Sequence, residues 1–401
     1  MKRALSLTLA MALLALSGCG SRDQEQAGSD GATAEEKVVK IGVVAPLSGD
    51  LSSFGVGIRN SVQLAAQQAN DSGALPGWRI EVVDEDDQGS PDVGKNAATK
   101  LAGDPEVIGV IGPMNSSVVQ QAQPVFDAAG IVQLAPSATN PSLTKGADLS
   151  TPSRSYETFF RLCPTDDWLG PFAAKYLLEQ GIKKVATVHD KQVYGQGIAE
   201  AFTEYFTANG GEITAAETVN LEDDDYNAVI TKVKATSPQA LYYGGQSPVA
   251  GPLAKQMRAA GLSIPLVSGD GIFDESYIEL AGESSEGDMA TSVGAPVEEL
   301  DSAKAFVEAY AAAGFKDGYS AYGAYSYDAA NLIIEALKTA LADAADVQSA
   351  RLAVVEAIGK TTSSGATGAI TFDEFGDNTA RVLTVYKVEN GKWVPELSAD
   401  A

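Results

Sequence analysis

Short runs rich in Val and Ile alternate along the chain with longer stretches in which apolar and small residues recur at helical spacing. Residues 38–47 (VVKIGVVAPL), 78–86 (WRIEVVDED), 106–113 (EVIGVIGP) and 130–136 (GIVQLAP) read as strands, since they are β-branched and stop at Gly, Pro or Asp. Between them, 58–70, 92–103 and 118–130 carry the helical period. A second series follows, with strands over 183–190, 212–219, 239–245 and 264–270 and helices over 170–181, 197–210, 226–236 and 249–261. Alternation of this kind predicts an α/β fold with parallel sheets covered by helices and joined by right-handed crossovers. Two series of similar length predict two such lobes. The chain then adds helices over 303–314 and 325–341 and closes with short strands and turns over 368–396.

In sheets of this type ligands bind beyond the carboxyl ends of the strands. Two strand ends stand out. One runs from Gly112-Pro113 into Asn115, Ser116 and Ser117 at a helix start, where free N–H groups and the dipole favour an anion. The other ends in Ser137, Ala138 and Thr139. Each also reads as simple N-capping, but two hydroxyl-bearing ends in one lobe favour a site.

Composition narrows the function. With 28 Lys+Arg against 53 Asp+Glu, a formal charge of −25, the surface repels phosphate backbones and excludes nucleic acid and anionic lipid as partners. The single histidine, His189, adjoins Asp190, yet neighbours on a strand end point apart, so the pair reads as structural rather than as a catalytic dyad. One His and one Cys beyond the leader give neither a nucleophile with its base nor a zinc cluster, so no enzyme, metal or cofactor is expected. The acidic run Glu222 to Asp225 lacks the ligand spacing of a calcium loop and reads as a solvated turn.

The first residues, MKRALSLTLAMALLALSGC, have the charged and apolar regions of an export signal, with an apolar stretch too short to span a bilayer. The end of that stretch, Leu16-Ser17-Gly18-Cys19, resembles the lipobox of bacterial lipoproteins, which places a signal at 1–18, a lipid on Cys19 and a polar tether at 19–37. An ordinary signal cleaved elsewhere is the alternative. With Cys19 lipidated, Cys163 has no intrachain partner.

Taken together, KIGVVAPLSGDLSSFGVG, VIGVIGPMNSSVV, GIVQLAPSATNPSLT, VHDKQVYGQG, ALYYGGQSP and VSGDGIFDESYIELAGESSEG resemble, in order, the leucine/isoleucine/valine-binding proteins of bacterial ABC importers. The resemblance implies two Rossmann-like lobes joined by three hinge strands, of residues 38–162 with 295–378 and 163–294 with 379–396, closing on an amino acid. It implies a lipid-anchored monomer on the outer face of the cytoplasmic membrane that hands a branched-chain type amino acid to a permease and its ATPase. A tethered sensor, or a binder of another small solute such as a short amide, would show the same cleft. By the same resemblance, Ser116 and Thr139, with the main chain of Ser137 to Thr139 including Ala138, hold the ligand carboxylate. Asp270 meets its ammonium, although Asp270 alone also reads as a turn aspartate, and Tyr194 reaches the ligand from the second lobe. Phe54, Gln246 and Tyr322 face the side chain. Two departures bear on selectivity: Gly89 and Asn115 stand where relatives often carry a disulfide, and Gln246 stands where many carry a tyrosine.

Overall fold

The structure, a computed structural model, describes residues 36–342 and 344–401. The signal, Cys19 and all but the last two residues of the tether lie outside the described residues. Eight strands lie near where the alternation places them. Four of these, β1 (Lys37–Ala45), β2 (Trp78–Asp86), β3 (Val107–Ile111) and β4 (Val132–Ala135), with β5 (Phe159–Arg161) added, form one sheet in the order β2-β1-β3-β4-β5, parallel throughout. The second sheet contains the other four, β6 (Lys184–His189), β7 (Glu212–Thr218), β8 (Ala240–Gly244) and β9 (Leu266–Ser268), with β10 (Met289–Val293) added. It is extended on one edge by an antiparallel pair, β13 (Val382–Glu389) and β14 (Lys392–Asp400), giving the order β14-β13-β10-β9-β8-β6-β7. A small hairpin, β11 (Thr362–Gly365) with β12 (Gly368–Thr371), precedes that pair in the chain. The result is an α/β molecule of two lobes.

Alternation within β1 shows why the first sheet is covered on both faces. Val39, Ile41 and Val43 are fully buried in the cluster that includes Ile58 and Val62 of the helix Ser52–Asp71 and Ile333 of the helix Gly323–Ala340. Val44 faces the other way, into a cluster with Leu101 and Phe126 of the helices Pro91–Ala102 and Ser116–Ala128. A strand buried on both faces reads as a nearly continuous apolar run.

Several elements differ from the pattern-based expectation. The first helix starts at Ser52, six residues before Ile58, because Phe54 and Ile58 share its buried face. Gly55 within it reads as a loop residue, yet its Cβ position is 2.0 Å from the Pro46 carbonyl oxygen, so glycine is what lets the helix pack on that loop. Strands β5 and β10 are short and were not separated from their surroundings, and the helix Val347–Gly359 was missed. That helix carries a polar end and a capping box at Asp346 and Ser349.

The chain passes between the two sheets three times: after Arg161 of β5, after Val293 of β10, and between Asn378 and β13. At the first and third passages the segments touch, since Arg161 pairs with Asp377 in an isolated bridge and Asn378 N–H donates to the Arg161 carbonyl at 2.9 Å.

Candidate ligand site

The loops that follow β3 and β4 meet those that follow β6, β8 and β9, all at carboxyl ends of strands. Between them lies a small cavity lined by Met114, Asn115, Ser116, Ala138, Thr139, Tyr194, Gln246, Asp270, Gly271 and Tyr322. A larger outer chamber shares Asn115, Ser116, Tyr194 and Gln246 with it.

One wall is built for an anion. Ser116 opens the helix Ser116–Ala128, and the helix's own bonds begin with Val118 and Val119 N–H donating to the Asn115 carbonyl, leaving the earlier N–H groups outside the intrahelical ladder. The Thr139 hydroxyl is buried and has no hydrogen-bond partner. The loop carrying it is fixed from below by Arg161, which is fully buried and donates to the Ala138 carbonyl at 2.8 Å, the Asn140 carbonyl at 2.6 Å and the Thr144 hydroxyl at 2.6 Å. Its charge is met by Asp377 at 2.7 Å. Ala138 itself holds a left-handed φ of 62°, a conformation this bonding secures.

The opposite wall carries a buried carboxylate. Asp270 accepts the Tyr194 hydroxyl at 2.8 Å on one oxygen and the Tyr322 hydroxyl at 2.9 Å on the other. Tyr194 also accepts from Gly271 N–H at 3.0 Å. A Cβ at Gly271 would lie 2.8 Å from the Tyr194 ring, which accounts for glycine directly after the acid. Burial raises the Asp270 carboxyl above its usual range, and the two tyrosine bonds offset this only in part. Burial likewise pushes both tyrosines up, so they remain neutral donors. Anion-binding groups on one side and a carboxylate on the other match the two ends of a zwitterion.

Of the residues singled out in the sequence, Ser116, Ala138, Thr139, Tyr194, Gln246, Asp270 and Tyr322 line this one cavity. Tyr322 stands at the carboxylate end, with its hydroxyl spent on Asp270. Phe54 is fully buried and packs against Tyr322 at 5.5 Å between ring centroids, behind the lining rather than in it. Ser137 gives its hydroxyl to the Met114 carbonyl at 3.0 Å and also stands outside the lining. His189 accepts Lys191 N–H through Nδ1 at 3.1 Å, while Asp190 accepts Gln192 N–H at 2.9 Å, so each caps the same turn separately. Cys163 is buried and free, its thiol pushed up by burial.

Sequence reasoning missed Arg161 and Asp166. A lone charge inside the apolar run FFRLC was the available sign of the first. Asp166 lies next to the anion wall, its N–H on the Thr139 carbonyl at 2.9 Å. Both its oxygens are buried without partners, and burial raises its carboxyl far toward the neutral form.

The lobes also touch directly across the cleft. Asn115 Nδ2 donates to Gln246 Oε1 at 2.9 Å, Asn140 Nδ2 to the Val193 carbonyl at 2.8 Å, and Ser53 to Asp274 at 2.9 Å. Among the described residues no helix is long and apolar enough to cross a membrane.

A fold of two α/β lobes with a polar cleft at the strand ends defines a solute-binding protein, and residues 38–392 match the family model described as periplasmic binding protein, so the chain belongs to that family. Its relatives narrow the family to the branched-chain amino-acid type. The chain is 33% identical to the Leu/Ile/Val-binding protein homolog 1 of Brucella melitensis, over 88% of this chain and 91% of that one. Among solved structures it resembles a leucine-binding protein of Thermotoga maritima, at 27% identity and a TM-score of 0.80, covering 90% of this chain and 99% of the other. It also resembles a branched-chain amino-acid substrate-binding protein of Streptococcus pneumoniae solved with isoleucine, at 29% identity and a TM-score of 0.79, over 90% and 99% of the two chains. These relatives are binding proteins, the last of them the substrate-binding protein of a transporter, and this chain is likewise a binding protein rather than an enzyme.

Proposed function

We propose that this chain is the capture component of an ABC importer for an α-amino acid. The observation that carries the reading is the buried Asp270, held by Tyr194 and Tyr322 and facing the Ser116 helix end and the Thr139 hydroxyl. A ligand α-carboxylate would meet the helix N-terminus and the hydroxyls, and its ammonium would meet Asp270. An acid without the amine would leave Asp270 buried and unpaired. Capture proceeds by closure of the lobes, bending near Leu162 to Pro164, Val293 to Pro296 and Asn378 to Arg381, and the permease receives the closed form. A lipid on Cys19 holds the molecule at the outer face of the membrane, and mass spectrometry of the mature protein would detect the acyl chains.

The test is calorimetry with amino acids, the matching amines and the matching carboxylic acids. Amino acids should bind while both truncated series lose nearly all affinity. Equal binding of an acid lacking the amine would overturn the reading. Saturating ligand should also compact the molecule in solution scattering.

A further inference from the structure

We propose that the captured amino acid carries a side chain ending in a carboxamide, which docks on the Asn115–Gln246 pair. This rests on the amino-acid reading above. The pair joins the two lobes at 2.9 Å and lines both the inner cavity and the outer chamber, so a side chain leaving the zwitterion site must pass it. Two primary amides bring two carbonyls and two NH2 groups, and the bond between them uses one of each. Whichever way the amides are turned, one carbonyl and one NH2 are left over. Here the leftover carbonyl is Asn115 Oδ1, which is buried with no partner, and the leftover NH2 is that of Gln246.

One free acceptor beside one free donor is the complement of a carboxamide. A branched aliphatic side chain would leave the Asn115 oxygen unpaired in a closed cleft, which is the expensive outcome for a buried polar group. The inner cavity offers it little in return, since no Leu, Ile or Val is among its lining residues, and Leu51, Leu221 and Val249 line only the outer chamber. A side-chain carboxylate has no hydrogen to give Asn115. It would also face Asp50 and Asp190 in an outer chamber with no Lys or Arg among its lining residues. An ammonium side chain satisfies Asn115 but has no acceptor for the Gln246 NH2. Among aliphatic, anionic, cationic and amide side chains, only the asparagine and glutamine class matches both groups; a hydroxyl, which also donates and accepts, is the shorter competitor.

The test is calorimetry on the wild-type chain at one fixed pH with asparagine, glutamine, glutamate, leucine and lysine. The better of the two amides should bind at least about tenfold tighter than leucine and about a hundredfold tighter than glutamate, as a site built around hydrogen bonds rejects analogues lacking them. Replacing both groups, Asn115→Leu with Gln246→Leu, should erase the amide advantage and bring leucine to the top of the series. Retained leucine binding by that variant shows that it folds; if it does not fold, the wild-type series decides alone. Leucine, lysine or glutamate binding tightest to the wild type would overturn the inference and leave the amino-acid reading standing. Failure of every amino acid to bind would overturn both.

Discussion

The two walls of the cleft meet opposite ends of a ligand by different physical means. The wall from the first sheet uses a helix start, the hydroxyls of Ser116 and Thr139, and a loop braced by Arg161. None of its ligand-facing groups titrates near neutrality. The wall from the second sheet relies on one buried carboxylate, Asp270, whose charge is disfavoured by burial until a cation arrives. An anion can therefore be held by backbone geometry that any sequence with the right helix start supplies, whereas a cation requires a particular acid kept in a polar cage. The first wall should fail by losing its shape, the second by losing its charge.

Breaking the brace gives the largest expected effect on stability. Arg161→Met leaves the buried Asp377 with only the more distant Lys145, at 4.0 Å, and frees the Ala138 and Asn140 carbonyls, so stability should fall by about 3 kcal/mol. Chemical denaturation checks this, and an unchanged midpoint would show that the loop stands without Arg161. Asp270→Ala comes next: it should weaken every amino acid by about 2–5 kcal/mol, roughly thirty- to several-thousandfold, while leaving their rank order in place. Calorimetry across the series reads this, and any amino acid spared by the change would remove Asp270 from the ammonium site.

The smallest expected effect is in pH. Asp270 has a raised pKa without ligand, and pairing with an ammonium requires its ionised form, so ligand binding there releases a proton. Affinity should be level above that raised value and fall as pH drops through it. The slope should disappear in Asp270→Asn if Asp270 is the group that titrates, with Asp166 beside Thr139, also raised by burial, kept as the control substitution Asp166→Asn. A slope that survives the substitution would assign the effect to another buried acid, with Asp190, pushed up to about 6 by burial beside the outer chamber, as the first to test.

Much of this molecule was legible along the chain. Strand and helix periods follow from which faces are buried, and those are local properties of the sequence, so the βα alternation and the two lobes could be read directly. The strand ends carrying Ser116 and Thr139 could be singled out in the same way, where the fold places ligands, whereas Tyr194 and Asp270 were expected only through the family resemblance. Contacts between distant segments were another matter. Asp270 meets Tyr194 across 76 positions and Tyr322 across 52, Arg161 reaches Asp377 across 216, and Asn115 finds Gln246 across 131. Nothing in the local pattern distinguishes a tyrosine that lines a cavity from one that packs behind it, as Phe54 does behind Tyr322. Hydrophobic burial is nondirectional and sets which face turns inward, while hydrogen bonds are short and angular and are decided only when the packed elements bring their partners within about 3 Å. The sequence alone therefore determined the lobes and where a ligand would sit; the tertiary structure decided which groups would touch it.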